Sequence, residues 1–119
     1  MIGIDLVSIE RIARSVARFQ QHFLNRFLSP QEQELFTKPV SLAGAWAAKE
    51  ACAKALGVGI GSQLSFLDMQ LSKNPLGAPL ITLSPPKQTL FGINSLHLSI
   101  SHDRGFAVAV VFVVRNSLD

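Results

Sequence analysis

The first quarter of the chain combines a short apolar run with a longer stretch of helical periodicity. Residues 2–7 are apolar except for Asp5, which predicts a short strand with one polar position. Ser8 follows as a candidate N-cap, and an amphipathic helix is expected to run to about Leu28. Its apolar stripe recurs at spacings of three and four residues: Ile9, Ile12, Val16, Phe19 and Phe23. A strand that carries one carboxylate therefore leads directly into a long helix.

The middle of the chain contains the strongest helical pattern. Ser29-Pro30, with Glu32 close behind, predicts the start of a short second helix. A break around Pro39 separates it from the alanine-rich residues 42–56, which predict a third helix. Gly57 follows as the expected stop signal, and residues 57–61 (GVGIG) should form a loop.

The second half is expected to consist mainly of strands. Residues 65–72 and 79–83 predict a hairpin joined by the turn sequence KNPLG. Two prolines at 85–86 predict a short helix that ends near Gly92. A strand with one polar face follows from residue 96, and a turn at 103–105 leads into an apolar strand at 106–114. The chain is therefore expected to be one α+β domain over residues 1–119, with a mostly antiparallel sheet and the long helix packed on it.

Composition restricts the class of protein more than its function. A length of 119 residues with 48% hydrophobic residues fits one domain with an ample core. The most apolar run, nine residues at 106–114, is too short to span a bilayer, and no targeting segment is evident. We therefore expect a cytoplasmic protein without membrane association. The single cysteine, Cys52, fits a reducing compartment and is expected to pack inside a helix.

A net charge of +3 leaves several partners open. It fits an ordinary soluble surface, an acidic protein partner, a phosphorylated ligand or nucleic acid. Arg11, Arg14 and Arg18 share one face of the first helix, which is either a solvated face or a docking surface. Nucleic acid is the weakest of these readings, because the chain has no Tyr and its one Trp lies in the alanine-rich helix.

Four residues could carry chemistry, and each also has a purely structural interpretation. Asp5 lies inside an apolar strand and would be either a turn acceptor or a metal ligand. Glu50 and Lys54 are one helical turn apart, so they form either a surface ion pair or part of a site. His102, at a strand end, is either structural or functional. Two carboxylates with a nearby lysine suit Mg²⁺ and phosphoryl transfer, but the sequence does not show that Asp5 and Glu50 meet.

The chain resembles the holo-acyl carrier protein synthases, the short-chain bacterial branch of the 4′-phosphopantetheinyl transferases. The similarity runs nearly end to end and keeps the order of the motifs. The segments that carry it are GIDLVSIERI at 3–12, RFLSPQE at 26–32, LAGAWAAKEACAKALGVGIG at 42–61, SFLDMQL at 65–71 and LSISHDRGFAVAVV at 98–111. The resemblance implies transfer of phosphopantetheine from coenzyme A to a serine of an acyl carrier protein, with release of 3′,5′-ADP.

The resemblance also implies roles for individual residues. Asp5 and Glu50 inherit the roles of Mg²⁺ ligands. On physical grounds, Lys54 is expected to neutralise charge on the phosphate, and Glu50 or a water on the metal is expected to accept the serine proton. Such enzymes are typically homotrimers with coenzyme A between subunits. The coenzyme-binding and carrier-binding residues implied in this way, besides Lys54, are Gly59, Gly61, Ser101 and His102 for the coenzyme and Arg11 for the carrier protein, with Arg14 and Arg18 added by spacing.

One departure from the family pattern affects the coenzyme site. Family members commonly carry GRFAAKE, whereas this chain has Ala45 and Trp46 at the second and third positions. The missing arginine is a cation that could hold a coenzyme phosphate, and Lys49 or another arginine is a candidate substitute. The alternative function is a metal-dependent phosphohydrolase that uses Asp5 and Glu50 with water as the nucleophile.

Overall fold

The computed structural model describes residues 1–117. In chain order its elements are β1 Ile2–Ser8, α1 Ile9–Phe27, α2 Pro30–Leu35, α3 Pro39–Ala55, β2 Met69–Lys73, β3 Pro79–Leu83, α4 Pro85–Phe91, β4 Ile93–Asp103 and β5 Phe106–Arg115. A three-stranded sheet has the order β1-β5-β4, and β2 and β3 form a separate hairpin. All of these pairings are antiparallel, which confirms the predicted α+β fold.

The first helix begins as predicted but is not continuous. Ser8 caps it by accepting a hydrogen bond from the Arg11 amide at 3.2 Å. Gln20 has a φ of 51° and a ψ of −129°, so the helix is kinked there. The prediction that Phe19 belongs to the buried stripe was wrong, because its side chain is 51% exposed beside this kink. Phe23, beyond the kink, is buried as expected.

The third helix is the centre of the molecule. It starts at Pro39, three residues before the predicted start, because proline is well suited to the first turn of a helix. Residues 42–49 are buried without interruption, so the helix is covered on all sides over this stretch. Gly57 adopts a φ of +78° just past its end, as the stop signal predicted.

The second half differs from the prediction in two places. Residues 66–68 form a 3₁₀ turn rather than the beginning of a strand, because Asp68 Oδ2 accepts a hydrogen bond from the Ser65 amide at 2.9 Å. The strand predicted from residue 65 therefore starts only at Met69. The strand predicted from residue 96 starts earlier, at Ile93, with a register irregularity before Ser95.

The sheet packs against α3 at two glycines. An ideal Cβ on Gly3 would lie 2.0 Å from the carbonyl oxygen of Ala51 and 2.5 Å from the amide nitrogen of Ala55, so β1 lies directly against the helix backbone. An ideal Cβ on Gly44 would lie 3.1 Å from a methyl group of Ile100 in β4. The helix thus contacts β4 near its N-terminal end and β1 near its C-terminal end.

A fully buried ion pair joins the helices to the hairpin. Lys49 Nζ lies 2.9 Å from Glu32 Oε1, and both side chains are completely inaccessible to solvent. The ammonium also donates hydrogen bonds to the carbonyl oxygens of Phe27 and Phe66, at 2.6 and 3.0 Å. The Glu32 carboxylate accepts hydrogen bonds from the backbone amides of Ser29 and Leu71. Every polar group of the pair is therefore satisfied, as a buried charge requires.

On the face of the three-stranded sheet that points away from α3, the part formed by β1 and β5 is apolar and open. Ile2, Ile4 and Leu6 of β1 are 67%, 58% and 64% exposed. They are paired with Phe112, Val110 and Val108 of β5, which line the same face. Among residues 1–117, no helix is long and apolar enough to cross a membrane.

Candidate active site

Asp5 points from β1 toward α3 and meets a lysine there. In β1 the odd-numbered residues Gly3, Asp5 and Val7 face the helix, because side chains alternate along a strand. Lys54 Nζ lies 2.9 Å from Asp5 Oδ1 and donates a second hydrogen bond, of 3.1 Å, to the carbonyl oxygen of Ile4. Asp5 is thus neither the turn acceptor nor an isolated buried charge: it is one half of an ion pair between strand and helix.

Glu50 completes this group from one turn earlier in α3. Partial burial and the negative charge of Asp5 raise the pKa of the Glu50 carboxyl above its ordinary value. Lys54, Arg11 and Arg26 oppose that shift with their positive charges. Glu50 lies one helical turn before Lys54, whose ammonium is hydrogen-bonded to Asp5. The two carboxylates, 45 positions apart in the sequence, therefore belong to the same contact between β1 and α3.

This donor set fits a hard divalent cation. Two carboxylates offer oxygen ligands of the kind that Mg²⁺ prefers, and Mg²⁺ usually keeps further positions for water and phosphate. The ammonium of Lys54 already contacts the Asp5 carboxylate, as a bound cation would. Within residues 1–117, no group of three or more His, Cys, Asp and Glu side chains gathers as a closed metal cage. The arrangement therefore suits an ion that shares a phosphate ligand, not a fully enclosed structural metal.

The three predicted docking arginines lie on one surface of α1. Arg11, Arg14 and Arg18 line the same shallow groove, together with Ser15 and Phe19. The Arg18 guanidinium lies 5.1 Å from the centre of the Phe19 ring, and that of Arg11 lies 5.9 Å from the Trp46 ring. The arginine stripe is thus a basic surface that is interrupted by aromatic rings.

A second groove adjoins this surface and shares Arg11, Ser15 and Phe19 with it. It has a volume of about 290 Å³ and is lined by Arg11, Ser15, Phe19, His22, Phe23, Arg26 and Trp46. Arg26 was missed by the sequence reasoning, although its charge acts on Glu50 as that of Arg11 does. The sequence offered a signal for it, because Arg26 follows Arg18 by eight residues, about two helical turns.

His102 lies at the other end of α3, away from the carboxylates. It is in β4, whereas Asp5 is in β1, and β5 separates these strands by a total of roughly 10 Å. His102 lines a groove of about 350 Å³ with residues from α3 and the hairpin, among them Ser41, Gly44 and Lys73. Within one chain the structure does not bring His102 to Asp5 and Glu50.

The remaining predicted coenzyme residues lie at exposed positions. Ser101 pairs with Val108, on the open face of the sheet opposite to that of His102. Gly59 and Gly61 are exposed in the loop after α3, and an ideal Cβ on either would meet nothing within 4 Å. No contact within the described part of the chain therefore requires glycine, instead of a larger residue, at these two positions.

Burial decides two further predictions, one for Lys49 and one for Cys52. The suggestion that Lys49 substitutes for the missing arginine was wrong, because its ammonium is enclosed with Glu32 and has no access to a ligand. Ala45 is fully buried as well, so its position presents nothing to a cleft. Cys52 is buried as predicted, and burial raises the pKa of its thiol to about 12, which leaves it unreactive.

Comparison with protein families places these features in a known group. The family model of the 4′-phosphopantetheinyl transferase superfamily matches residues 1–111. The holo-[acyl-carrier-protein] synthase of Helicobacter pylori strain J99 is 60% identical over 119 residues, which cover 99% of this chain and 100% of that protein. The synthase of Wolinella succinogenes is 60% identical over 111 residues, which cover 93% and 94% of the two chains.

Solved structures give the same result. The crystal structure of Helicobacter pylori holo-[acyl-carrier-protein] synthase in complex with coenzyme A is 61% identical and superimposes with a TM-score of 0.94, covering 96% of this chain and 100% of that one. The Bacillus anthracis synthase in complex with coenzyme A (3′,5′-ADP) is 35% identical, with a TM-score of 0.80 and coverage of 98% and 96%.

Proposed function

The chain belongs to the 4′-phosphopantetheinyl transferase superfamily, and from this membership we propose how its residues perform the reaction. It is a holo-[acyl-carrier-protein] synthase: it transfers the 4′-phosphopantetheine group of coenzyme A to a serine of apo-acyl carrier protein and releases 3′,5′-ADP, in fatty acid biosynthesis. The observation that supports the assignment of the active site is the pairing of Asp5 with Lys54 between β1 and α3, one helical turn from Glu50.

The reaction breaks the phosphoanhydride bond of coenzyme A and forms a phosphate ester with the serine. The serine oxygen forms a bond to the phosphorus nearest pantetheine, and the bond from that phosphorus to the oxygen of the departing 3′,5′-ADP breaks. Negative charge develops on the departing phosphate, so a fixed cation nearby lowers the barrier. Lys54 supplies such a cation, since its side chain is 54% exposed and carries its charge at the mouth of the carboxylate pair.

Asp5 and Glu50 would hold Mg²⁺. When bound there, the ion would neutralise the diphosphate of coenzyme A and orient it. Asp5 is well placed as a ligand because β1 holds its carboxylate against α3. Glu50 is also the candidate acceptor for the serine proton, directly or through a water.

The basic surface of α1 would receive the acyl carrier protein. Arg11, Arg14 and Arg18 provide positive charge along the helix, and Arg26 lines the adjoining groove. Acyl carrier proteins are strongly acidic, so complementary charge would speed the encounter and weaken with salt. The aromatic floor of the groove, formed by Phe19, Phe23 and Trp46, is apolar enough to pack against side chains of a docked helix.

The active protein would be a homotrimer with the coenzyme between subunits. Two features support self-association: the open apolar face of the sheet, and the distance of His102 from the carboxylates within one chain. A neighbouring subunit could bring its His102 and Ser101 to the coenzyme bound at Asp5 and Glu50. The loop with Gly59 and Gly61 would let the nucleotide approach the backbone closely. The reaction takes place in the cytoplasm in this proposal.

A mass-spectrometric transfer assay tests the proposal. The protein is mixed with coenzyme A, Mg²⁺ and apo-acyl carrier protein, and the phosphopantetheine mass gain on the carrier is followed. Asp5→Ala and Glu50→Ala should each abolish the gain while circular dichroism stays unchanged. Arg104→Ala, at the exposed tip of the β4–β5 turn, is the matched control and should keep full activity. Near-normal rates for either carboxylate variant would remove the metal assignment.

The alternative of a metal-dependent phosphohydrolase finds no support among the relatives described above, each of which is a synthase. In the same assay a hydrolase would release nucleotide from coenzyme A without any mass gain on the carrier.

A further inference from the structure

Lys54 makes its closest contacts with the strand, not with the neighbouring turn of its own helix. Its ammonium lies on Asp5 Oδ1 at 2.9 Å and on the carbonyl oxygen of Ile4 at 3.1 Å. The side chain of Asp5 is only 15% exposed, whereas that of Lys54 is 54% exposed. The carboxylate is therefore held in place, while the lysine can leave it by rotating toward solvent.

The ammonium and a divalent cation would compete for the same oxygen. A carboxylate oxygen that accepts a hydrogen bond from an ammonium has less capacity left for a second cation. Two like charges, on Asp5 and Glu50, would repel each other without a cation between them. A positive charge beside this pair relieves the repulsion, and only Lys54 is within hydrogen-bond distance of Asp5 among the ion pairs of the described residues.

We propose that Lys54 is an exchangeable counterion of Asp5, which neutralises the carboxylate pair before a divalent cation binds and then moves to the diphosphate of coenzyme A. This inference rests on the proposed function, which gives the pair its metal and its phosphate ligand. Lys54 would thereby link the two binding events, because binding of the ion frees the ammonium that the coenzyme uses. Such a link is a coupling free energy and acts in both directions.

Chemical labelling measures the exchange directly. The wild-type protein is treated with an acetylating N-hydroxysuccinimide ester, and the rate of acetylation of each lysine is followed by peptide mass spectrometry. Lys54 should react faster after Mg²⁺ is added, because its ammonium leaves Asp5, and more slowly again once coenzyme A is present. Lys38, an exposed lysine at the start of α3, is the internal reference and should not respond to Mg²⁺.

Binding of Mg²⁺ to the coenzyme-free protein gives a second measure. In calorimetric titrations, Lys54→Met should bind Mg²⁺ about two- to fivefold more tightly than the wild type, the effect expected when a partly exposed ion pair no longer competes. Arg104→Met removes the same charge from a side chain that is 92% exposed and should leave Mg²⁺ binding unchanged. Asp5→Asn should make the labelling of Lys54 fast and insensitive to Mg²⁺.

The proposal is overturned if Mg²⁺ leaves the labelling rate of Lys54 unchanged or lowers it. It is equally overturned if Lys54→Met binds Mg²⁺ no more tightly than the wild type, including the case in which neither protein binds it. The proposed function is judged separately, by the mass gain on the carrier protein with wild-type enzyme. An active enzyme with an unresponsive Lys54 would therefore reject the exchange and keep the synthase.

Discussion

Gly3 and Ala51 are in contact through their backbones, so that an ideal Cβ on Gly3 would lie 2.0 Å from the carbonyl oxygen of Ala51. This contact sets the distance between β1 and α3. Asp5 lies two residues beyond Gly3 on the same face of its strand, and Glu50 and Lys54 lie on either side of Ala51 along the helix. The glycine therefore determines whether the carboxylates and the lysine can meet.

We expect Gly3→Ala to damage stability and activity together. The added methyl group overlaps helix backbone, which cannot move aside as a side chain does, and overpacking of this kind costs about 3 kcal/mol. Urea unfolding measures the loss of stability. The transfer assay measures the loss of activity that is expected when Asp5 and Glu50 are moved apart. Gly59→Ala is the control for stability, since its methyl group would point into open space. An unfolding free energy equal to that of the wild type would contradict the close contact.

The two lysine–carboxylate pairs of α3 should differ greatly in their effect on stability. Both have an N–O distance of 2.9 Å, but Lys49 and Glu32 are fully buried whereas Lys54 is half exposed. Lys49→Met would leave the Glu32 charge buried without its partner, at a cost of about 3–5 kcal/mol. Lys54→Met should cost at most about 1 kcal/mol, because water screens that pair.

Chemical denaturation of both variants under the same conditions measures this difference. The comparison is internally controlled, since each variant makes the same substitution in the same helix. Equal losses of stability would show that burial of the Lys49–Glu32 pair does not determine its energetic role.

Glu50 should give the metal-free protein a distinct dependence of stability on pH. Its pKa is raised in the folded state, so between the ordinary value of 4.5 and the raised value the folded protein binds more protons than the unfolded one. The contribution of Glu50 to the free energy of unfolding must then decrease as the pH rises through this interval.

Glu50→Gln removes the titrating group while keeping the size of the side chain. Relative to the wild type, the variant should therefore gain stability as the pH rises through that interval. Urea unfolding at a series of pH values in the presence of a chelator measures the difference. Parallel curves for the two proteins would contradict the raised pKa, and a difference of opposite sign would indicate a lowered one.

Arg11→Glu should weaken the encounter with the acyl carrier protein more than the chemical step. The change reverses one charge on the basic surface of α1, so the KM for the carrier should rise about tenfold while the KM for coenzyme A changes little. Arg26→Glu should act similarly, because Arg26 lines the adjoining groove. Arg104→Glu is a charge-matched control away from this surface. An unchanged KM for the carrier in both α1 variants would argue against docking on this helix.

Ile4→Arg should dissociate the proposed trimer. Ile4 is paired with Val110 at the middle of the open apolar face, and a charge there would have to be buried without a partner on assembly. Light scattering after size-exclusion chromatography measures the molar mass. Leu76→Arg introduces the same charge at the 94% exposed tip of the β2–β3 hairpin and should not alter the mass. A trimeric Ile4→Arg protein would locate the contact elsewhere.

Local patterns in the sequence predicted most of the elements. The Ser8 cap, the Ser29-Pro30 helix start, the Gly57 stop and the alternation in β4 depend on interactions within a few residues, and each was confirmed. The errors arose where one side chain or one backbone conformation overrides the apolar pattern of its segment. Residues 65–68 have the apolar character of a strand, but the Asp68 side chain closes a turn there, and the exposure of Phe19 follows the kink at Gln20.

The functional site shows the same division between what the sequence pattern identified and what only the folded structure established. The sequence alone identified Asp5, Glu50, Lys54 and the arginine stripe as unusual, because charged residues in apolar or patterned surroundings are visible without coordinates. Only the tertiary structure decided that Lys54 pairs with Asp5, that Lys49 is enclosed with Glu32, and that His102 lies at the far end of α3. The first of these outcomes depends on how closely β1 and α3 approach across about 50 residues of chain. That distance is set by backbone packing at Gly3, a quantity that no local spacing contains.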